Sequence, residues 1–368
     1  MAWRHTFIER FGPGGLSGVV FGDWWNMLRQ NRFAIDMKYW PRAAVITFSS
    51  VLNSCWRRVE NLLYARKIKQ TSVPPPLFVL GIWRSGTTHL HNLLSKDDRF
   101  AYPTTYEVIF PHTFLCTESW NASAMQSFTP PTRPMDNVKY GIGEPQEDEF
   151  ALVPSGLSFM LGLLAFPRTG AKYRRFLSLR DATPGEVDAW KSTLLWFLRK
   201  LTLKHGRPLI LKSPGHTSRI KVLLELFPDA KFVHIHRDPY TVFQSTEHTW
   251  TKVMSWWALQ EPELDIDLVI RDYIEVFDAF FEQRHLIPGE NFCEVAFDAL
   301  ERDPMGQMRQ IYDKLNLPDF DHVEPTLRDY VQSIDGYSRN SFPELSDDMR
   351  NRLAREWSCC IEEWGYAK

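Results

Sequence analysis

The sequence contains no run of about 18 uncharged apolar residues, the least that a membrane-spanning helix needs. Its longest candidate, 43–56, is short and broken by polar residues. The opening stretch 1–15 mixes Arg4, His5, Glu9 and Arg10 into its apolar residues and offers no small-residue cleavage site, so no signal peptide is expected. Cysteine is scarce. Cys55, Cys116, Cys293, Cys359 and Cys360 form no CxxC pair and sit near no histidine cluster. Neither a zinc site nor a disulfide framework is indicated, and a reducing, cytoplasmic location is expected. An excess of one charge is missing too: 43 Lys+Arg against 45 Asp+Glu leave a formal charge of -2. That balance argues against nucleic acid as partner and makes any anion site local. There is no internal repeat and no low-complexity tract.

What remains is a chain of 368 residues, 44% hydrophobic, able to bury a real core as one large domain or two small ones. Up to Gln70, eleven basic residues face only four acidic ones, and Trp3, Trp24, Trp25, Trp40 and Trp56 lie among them. This stretch, 1–73, reads as an N-terminal helical arm. Basic residues interleaved with tryptophan suit peripheral contact with an anionic membrane surface, here its inner face. They equally suit a helical layer packed on the main domain, since tryptophan buries well and the segment lacks a clean polar face.

Thr71-Ser72-Val73-Pro74-Pro75-Pro76 is a stiff breaker after which the main domain, 74–368, begins. Leu77 to Gly81 reads as a buried strand and Thr87 to Ser95 as a helix with Leu90, Leu93 and Leu94 on one face. The alternation recurs: strands at Pro208–Leu211, Lys231–Ile235 and Asn291–Ala296, helices at His216–Phe227 and Pro239–His248. Continuous apolar strands between amphipathic helices imply a parallel sheet covered on both faces. The fold class is α/β, a P-loop-like three-layer fold with a central parallel sheet flanked by helices. The insertion at about 104–205, with a helix at Pro184–Lys204, is expected to carry acceptor specificity.

Gly81-Ile82-Trp83-Arg84-Ser85-Gly86-Thr87-Thr88 joins a strand to a helix, where backbone N–H groups converge on a place suited to an anion. Its frame is G-x-x-x-x-G, but Thr87 stands where a nucleotide triphosphatase needs lysine, and the cation comes earlier, as Arg84. A tight turn with Thr88 as helix cap would read the same way. A second anion signature follows in His236-Arg237-Asp238-Pro239, with Ser245 eight residues after Arg237. An arginine fork and a hydroxyl suit a phosphate, while Asp238 and Pro239 also satisfy a helix start.

These two motifs, in this order, resemble the sulfotransferases that use 3'-phosphoadenosine 5'-phosphosulfate (PAPS). Arg84-Ser85-Gly86-Thr87-Thr88 is similar to that family's 5'-phosphosulfate loop, and Arg237 with Ser245 to its 3'-phosphate pair. Val295-Ala296-Phe297-Asp298-Ala299-Leu300 resembles the late strand-turn of many members. Arginine rather than lysine in the loop points away from the cytosolic phenol and steroid branch and toward bacterial members and the tyrosylprotein branch. In the latter a lysine that contacts the sulfonate lies 25 residues before the 3'-phosphate arginine; Lys212 stands at that distance from Arg237.

The resemblance implies PAPS as co-substrate and in-line sulfonate transfer to a hydroxyl or amine, with Arg84, Lys212 and the loop amides stabilising the leaving phosphate and no metal required. The general base has several candidates: Glu107, the acidic run Glu144, Glu147, Asp148 and Glu149, and His216. The acidic run has a bland reading as helix-start charge. His89 and His91, at i and i+2 of a helix, face different sides and read as packing or donor-contact residues. Arg339, in Tyr337-Ser338-Arg339-Asn340, is a candidate for a loop closing over the nucleotide. Asn121-Ala122-Ser123 matches a glycosylation acceptor without the secretory context that would give it meaning. An aromatic content of 14% fits a small-molecule, apolar or lipid-like acceptor, though sugars also stack on aromatic rings. The competing functions are a P-loop small-molecule kinase, marked by magnesium dependence, and a nucleotide- or membrane-binding protein without turnover.

Overall fold

The computed structural model describes residues 14–129, 132–133, 135–136, 138–334 and 342–366. The chain divides into two compact units. One comprises Met1–Val73, Pro103–Gly206 and Trp250–Leu264; the other comprises Pro74–Tyr102, Arg207–Thr249 and Asp265–Lys368.

The second unit is built on four strands: β1 (Leu77–Leu80), β2 (Ile210–Lys212), β3 (Lys231–His236) and β4 (Phe292–Ala296). They form one sheet in the order β2-β1-β3-β4, with every pairing parallel. Leu77 and Val79 point into a core with Leu90, Leu93, Val233 and Ile311. Phe78 points to the opposite face, where it stacks on Phe232 at 5.4 Å and meets Phe227 at 6.3 Å. Both faces are therefore apolar and covered, which is why the strands carry no polar alternation. This is the α/β parallel-sheet fold that the sequence pattern implies. Its register places Val79 opposite Lys212 and Val233, and Ile235 opposite Val295. The residues that follow the strands, Gly81, Ser213, Arg237 and Phe297, all leave at the carboxyl edge, where α/β sheets bind ligands.

The strand expected at Pro208–Leu211 runs Ile210–Lys212, and two expected helices change their extent. Residues 216–227 are not one helix: Pro214–Ser218 form a 3-10 turn and the α-helix runs Ile220–Leu226. Pro214 sets the tighter turn, and the Ser218 hydroxyl donates to the Gly215 carbonyl at 2.8 Å. The helix from Pro239 continues past His248 to Trp257.

The first unit is helical, with its longest helices at Trp40–Gln70, Phe114–Phe128 and Pro184–His205. Pro41 starts the first of these. A capping box between Thr183 and Glu186 opens the third and Gly206, at φ 66°, closes it. Inside this unit Lys200 pairs with Glu60, both buried, and its ammonium lies over the rings of Phe114 and Trp196 at 4.4 and 4.7 Å. Burial lowers the Lys200 pKa to about 8, against the pull of Glu60. No helix among the described residues is long and apolar enough to cross a membrane.

Candidate active site

After β1 the chain turns through 81–86 into the helix Thr87–Leu94. Gly81 has φ +139°, and a Cβ there would lie 2.5 Å from the Ile235 carbonyl oxygen. Gly86, which precedes the helix at φ +101°, would bring a Cβ within 2.2 Å of the Phe297 ring. Glycine is thus required twice, for backbone conformation and for room. Arg84 itself adopts a left-handed φ of 69°. Hydrogen bonds fix the turn: the Ser85 hydroxyl donates to the Ile82 carbonyl at 2.7 Å, and the Gly81 N–H donates to Thr217 Oγ1 at 2.7 Å. The turn leads into the start of a helix, whose first N–H groups have no intrahelical acceptor, as in an anion cradle.

Three residues singled out from the sequence meet here. Arg84 Nε donates to Ser245 Oγ at 2.8 Å, and Arg237 Nη1 donates to the Arg84 carbonyl at 3.3 Å. The guanidinium of Arg237 lies 4.3 Å from the centroid of the Phe297 ring. Arg84 therefore bridges Arg237 and Ser245. Asp238 accepts from the N–H groups of Tyr240 and Thr241 at 3.3 and 3.2 Å, which is the helix-start reading of that segment. Two arginines, a hydroxyl and a glycine cradle form a donor set with the chemistry of phosphate recognition.

Lys212 is the last residue of β2 and is buried. His216 is fully buried in the turn after it, with its ring edge-on to Phe78 at 5.4 Å. His89, pushed to a pKa of about 4 by burial, and His91, packed against Tyr102 at 6.3 Å, lie on the loop's helix.

Other candidates belong to the first unit. Glu107 is buried and completes a capping box with Thr104, whose N–H donates to its Oε2 at 2.7 Å. Its Oε1 accepts from Lys204 Nζ at 2.7 Å and lies 2.7 Å from His205 Nε2. Burial acts to raise its pKa, but the His205 hydrogen bond and the Lys204 charge hold it below the usual glutamate value. Glu147 precedes the 3-10 helix Asp148–Ala151, in which Asp148 and Glu149 are buried, and Glu144 pairs with Lys139 at 2.7 Å. Arg339 lies outside the described residues.

Two residues at the loop escaped the sequence reading. Thr217 anchors Gly81, and Phe297 supports both Arg237 and Gly86. Phe297 stands inside a segment that carried a resemblance, but only the fold discloses its neighbours. Among the described residues Asp97, Asp98 and His322 approach within metal-ligating distance of one another. The Asp97 carboxylate is already taken by Arg99, through two bonds of 2.8 Å, and by the Tyr312 hydroxyl at 2.8 Å.

A model of the sulfotransferase family matches residues 75–322. The chain is 38% identical over 352 residues to the omega-hydroxy-beta-dihydromenaquinone-9 sulfotransferase Stf3 of Mycobacterium bovis, covering 95% of this chain and 90% of that one. Its fold is similar to the crystal structure of sulfotransferase STF1 from Mycobacterium tuberculosis, with a TM-score of 0.68 at 17% identity over 92% of each chain. It is also similar to sulfotransferase STF9 from Mycobacterium avium, with a TM-score of 0.67 at 19% identity, covering 94% of this chain and 96% of that one. These sulfotransferase relatives set aside the kinase and the binding protein without turnover. The chain belongs to the sulfotransferase family and is an enzyme of sulfonate transfer.

Proposed function

We propose that the enzyme takes its sulfonate from PAPS and passes it to a hydroxyl of an apolar, lipid-like acceptor. The observation that carries the donor is the meeting of Arg84, Arg237 and Ser245 beside the glycine cradle. The observation that carries the acceptor class is the relative at 38% identity, named for an omega-hydroxylated dihydromenaquinone.

When bound, the donor supplies a sulfonate already activated by a phosphate leaving group. Arg237 and Ser245 hold the 3'-phosphate, the pair that distinguishes this donor from AMP or ATP. Arg84, Lys212 and the N–H groups of residues 86–88 stabilise charge growing on the leaving phosphate oxygen. These donors are fixed before the reaction, so little reorganisation is needed as charge develops. Cations of the chain fill the place of a metal in this account, and turnover is expected to survive EDTA.

The acceptor proton goes to a carboxylate or imidazole of this chain. The capping box and the Lys204 and His205 contacts around Glu107 favour an anchoring role for that residue, leaving Glu147, Glu149 and His216 as the bases to compare. The test is transfer of labelled sulfonate from PAPS, with EDTA present, to a long-chain isoprenoid alcohol and to a sugar. Product from the isoprenoid alcohol and little from the sugar supports the reading. Preference for the sugar would refute the acceptor class, and the absence of any PAPS-dependent product would refute the donor.

A further inference from the structure

The long helix Trp40–Gln70 is turned inside out. Four of its polar residues, Arg42, Ser50, Asn53 and Glu60, are buried, alongside Ile46 and Ile68. Arg42 donates to the carbonyls of Ala258 and Ser255 at 2.7 and 3.1 Å. Asn53 donates to those of Ser17 and Val19 at 2.7 and 3.0 Å. Glu60 meets Lys200. Other apolar residues point outward: Phe48 is 68% exposed, Leu62 86% and Leu63 60%, with Leu52 and Val59 also exposed. Positions 48, 52, 59, 62 and 63 recur at helical spacing and form one stripe on a helix about 46 Å long. Single exposed apolar side chains are ordinary, whereas a continuous stripe marks a contact surface.

The charges of the same region are sorted as strictly. In 14–73 the acidic residues are Asp23, Asp36 and Glu60, of which Glu60 is buried and the other two half-buried. Arg29, Arg32, Arg58, Arg66, Lys67 and Lys69 are exposed. Trp25, at 49% exposure, stacks with Phe21 and meets Phe33 edge-on at 5.3 Å, adding a second exposed aromatic cluster. Apolar residues that enter the boundary between headgroups and acyl chains, flanked by basic residues, are what an anionic bilayer surface selects. A second copy of the chain suits the face less well, because an isologous contact brings the same basic residues onto one another.

We propose that this face docks on an anionic phospholipid bilayer, with the helix Trp40–Gln70 lying in the plane of the interface. A lipid-like acceptor gives such docking a use, but the proposal stands on the surface itself and is tested without reference to transfer. The experiment is flotation of the full chain with vesicles of phosphatidylcholine alone and of phosphatidylcholine with phosphatidylglycerol. Phe48→Glu with Leu62→Glu forms one variant and Arg66→Glu with Lys69→Glu the other. All four positions are exposed, and binding of adenosine 3',5'-bisphosphate reports that each variant is folded with its donor site intact. The wild-type chain is expected to float with the anionic vesicles and not with the neutral ones, and each variant to lose about tenfold or more in partitioning. Equal partitioning to both vesicles, or variants that float like the wild type, would overturn the proposal. So would a dimer that Phe48→Glu with Leu62→Glu dissolves while no vesicle binding is seen, which would assign the face to a second copy.

Discussion

Phe297 offers the sharpest test of how the donor site is held. Its ring lies 4.3 Å from the guanidinium of Arg237 and is itself only 8% exposed, so the cation rests on a face shielded from water. If Arg237 holds the 3'-phosphate as proposed, Arg237→Ala removes a charge-assisted contact and should weaken adenosine 3',5'-bisphosphate by about 2–3 kcal/mol, or roughly 30- to 150-fold. Phe297→Leu keeps an apolar side chain against Gly86 but removes the ring face, a loss of about 1 kcal/mol or roughly fivefold. If Phe297 acts through Arg237, the two losses do not add, and the double variant should bind like Arg237→Ala within about 0.5 kcal/mol. Calorimetric titration of the four proteins gives the cycle, with thermal melts confirming that each is folded. A fivefold loss that persists on the Arg237→Ala background would refute the reasoning and place the effect of Phe297 in the loop at Gly86.

Lys212→Ala should lower kcat by about a hundredfold while leaving bisphosphate affinity within a few-fold, because its contact strengthens as charge develops; a loss confined to binding would contradict that role. Thr217→Val leaves the Gly81 N–H without its acceptor and should cost about 1–3 kcal/mol, seen as a lower Tm and a raised KM for PAPS, with Thr217→Ser restoring both. Glu107→Gln should lower Tm through its lost ion pair with Lys204 and leave kcat of the folded enzyme within about tenfold; a loss of about 10²–10⁴ would make Glu107 the base. Burial first, and then His234, push the pKa of His236 down to about 4, against the opposing pull of Glu294. Its folded value lies below the ordinary 6.5, so the unfolded chain binds more protons between these values and stability falls as pH drops through that window. His236→Gln should flatten the decline of Tm from pH 6.5 towards 4, and an unchanged slope would remove His236 as a cause.

The sheet and its loop were legible because their signals are local. Leu77 to Leu80 is a continuous apolar run, and the glycines at 81 and 86 punctuate the turn into the next helix. What binds the loop is not local. Gly81 and Thr217 are 136 positions apart, and Arg84 and Ser245 are 161 apart, so composition and spacing hold no trace of either bond. Arg237 and Ser245 could be chosen as a pair by spacing, but not that Arg84 stands between them. Glu107 shows the converse. Its Thr104-Thr105-Tyr106-Glu107 spacing is a capping-box pattern visible in the sequence, yet the side chains of Lys204 and His205 arrive from another helix. The long helix was the hardest to read. The arm seemed to lack a polar face because Arg42, Asn53 and Glu60 are turned inward while Phe48, Leu62 and Leu63 point outward beside exposed basic residues, and periodicity reports that a helix has two faces without reporting which one is packed.

The central claim, a donor site that requires a 3'-phosphate, is tested most directly by calorimetric titration of the wild-type enzyme with adenosine 3',5'-bisphosphate and with 5'-AMP, in the presence of EDTA. The account predicts micromolar binding of the bisphosphate and binding of AMP weaker by roughly 30-fold or more, the value of the Arg237 and Ser245 contacts. Equal affinity for the two nucleotides, or bisphosphate binding that is lost with EDTA, would contradict it.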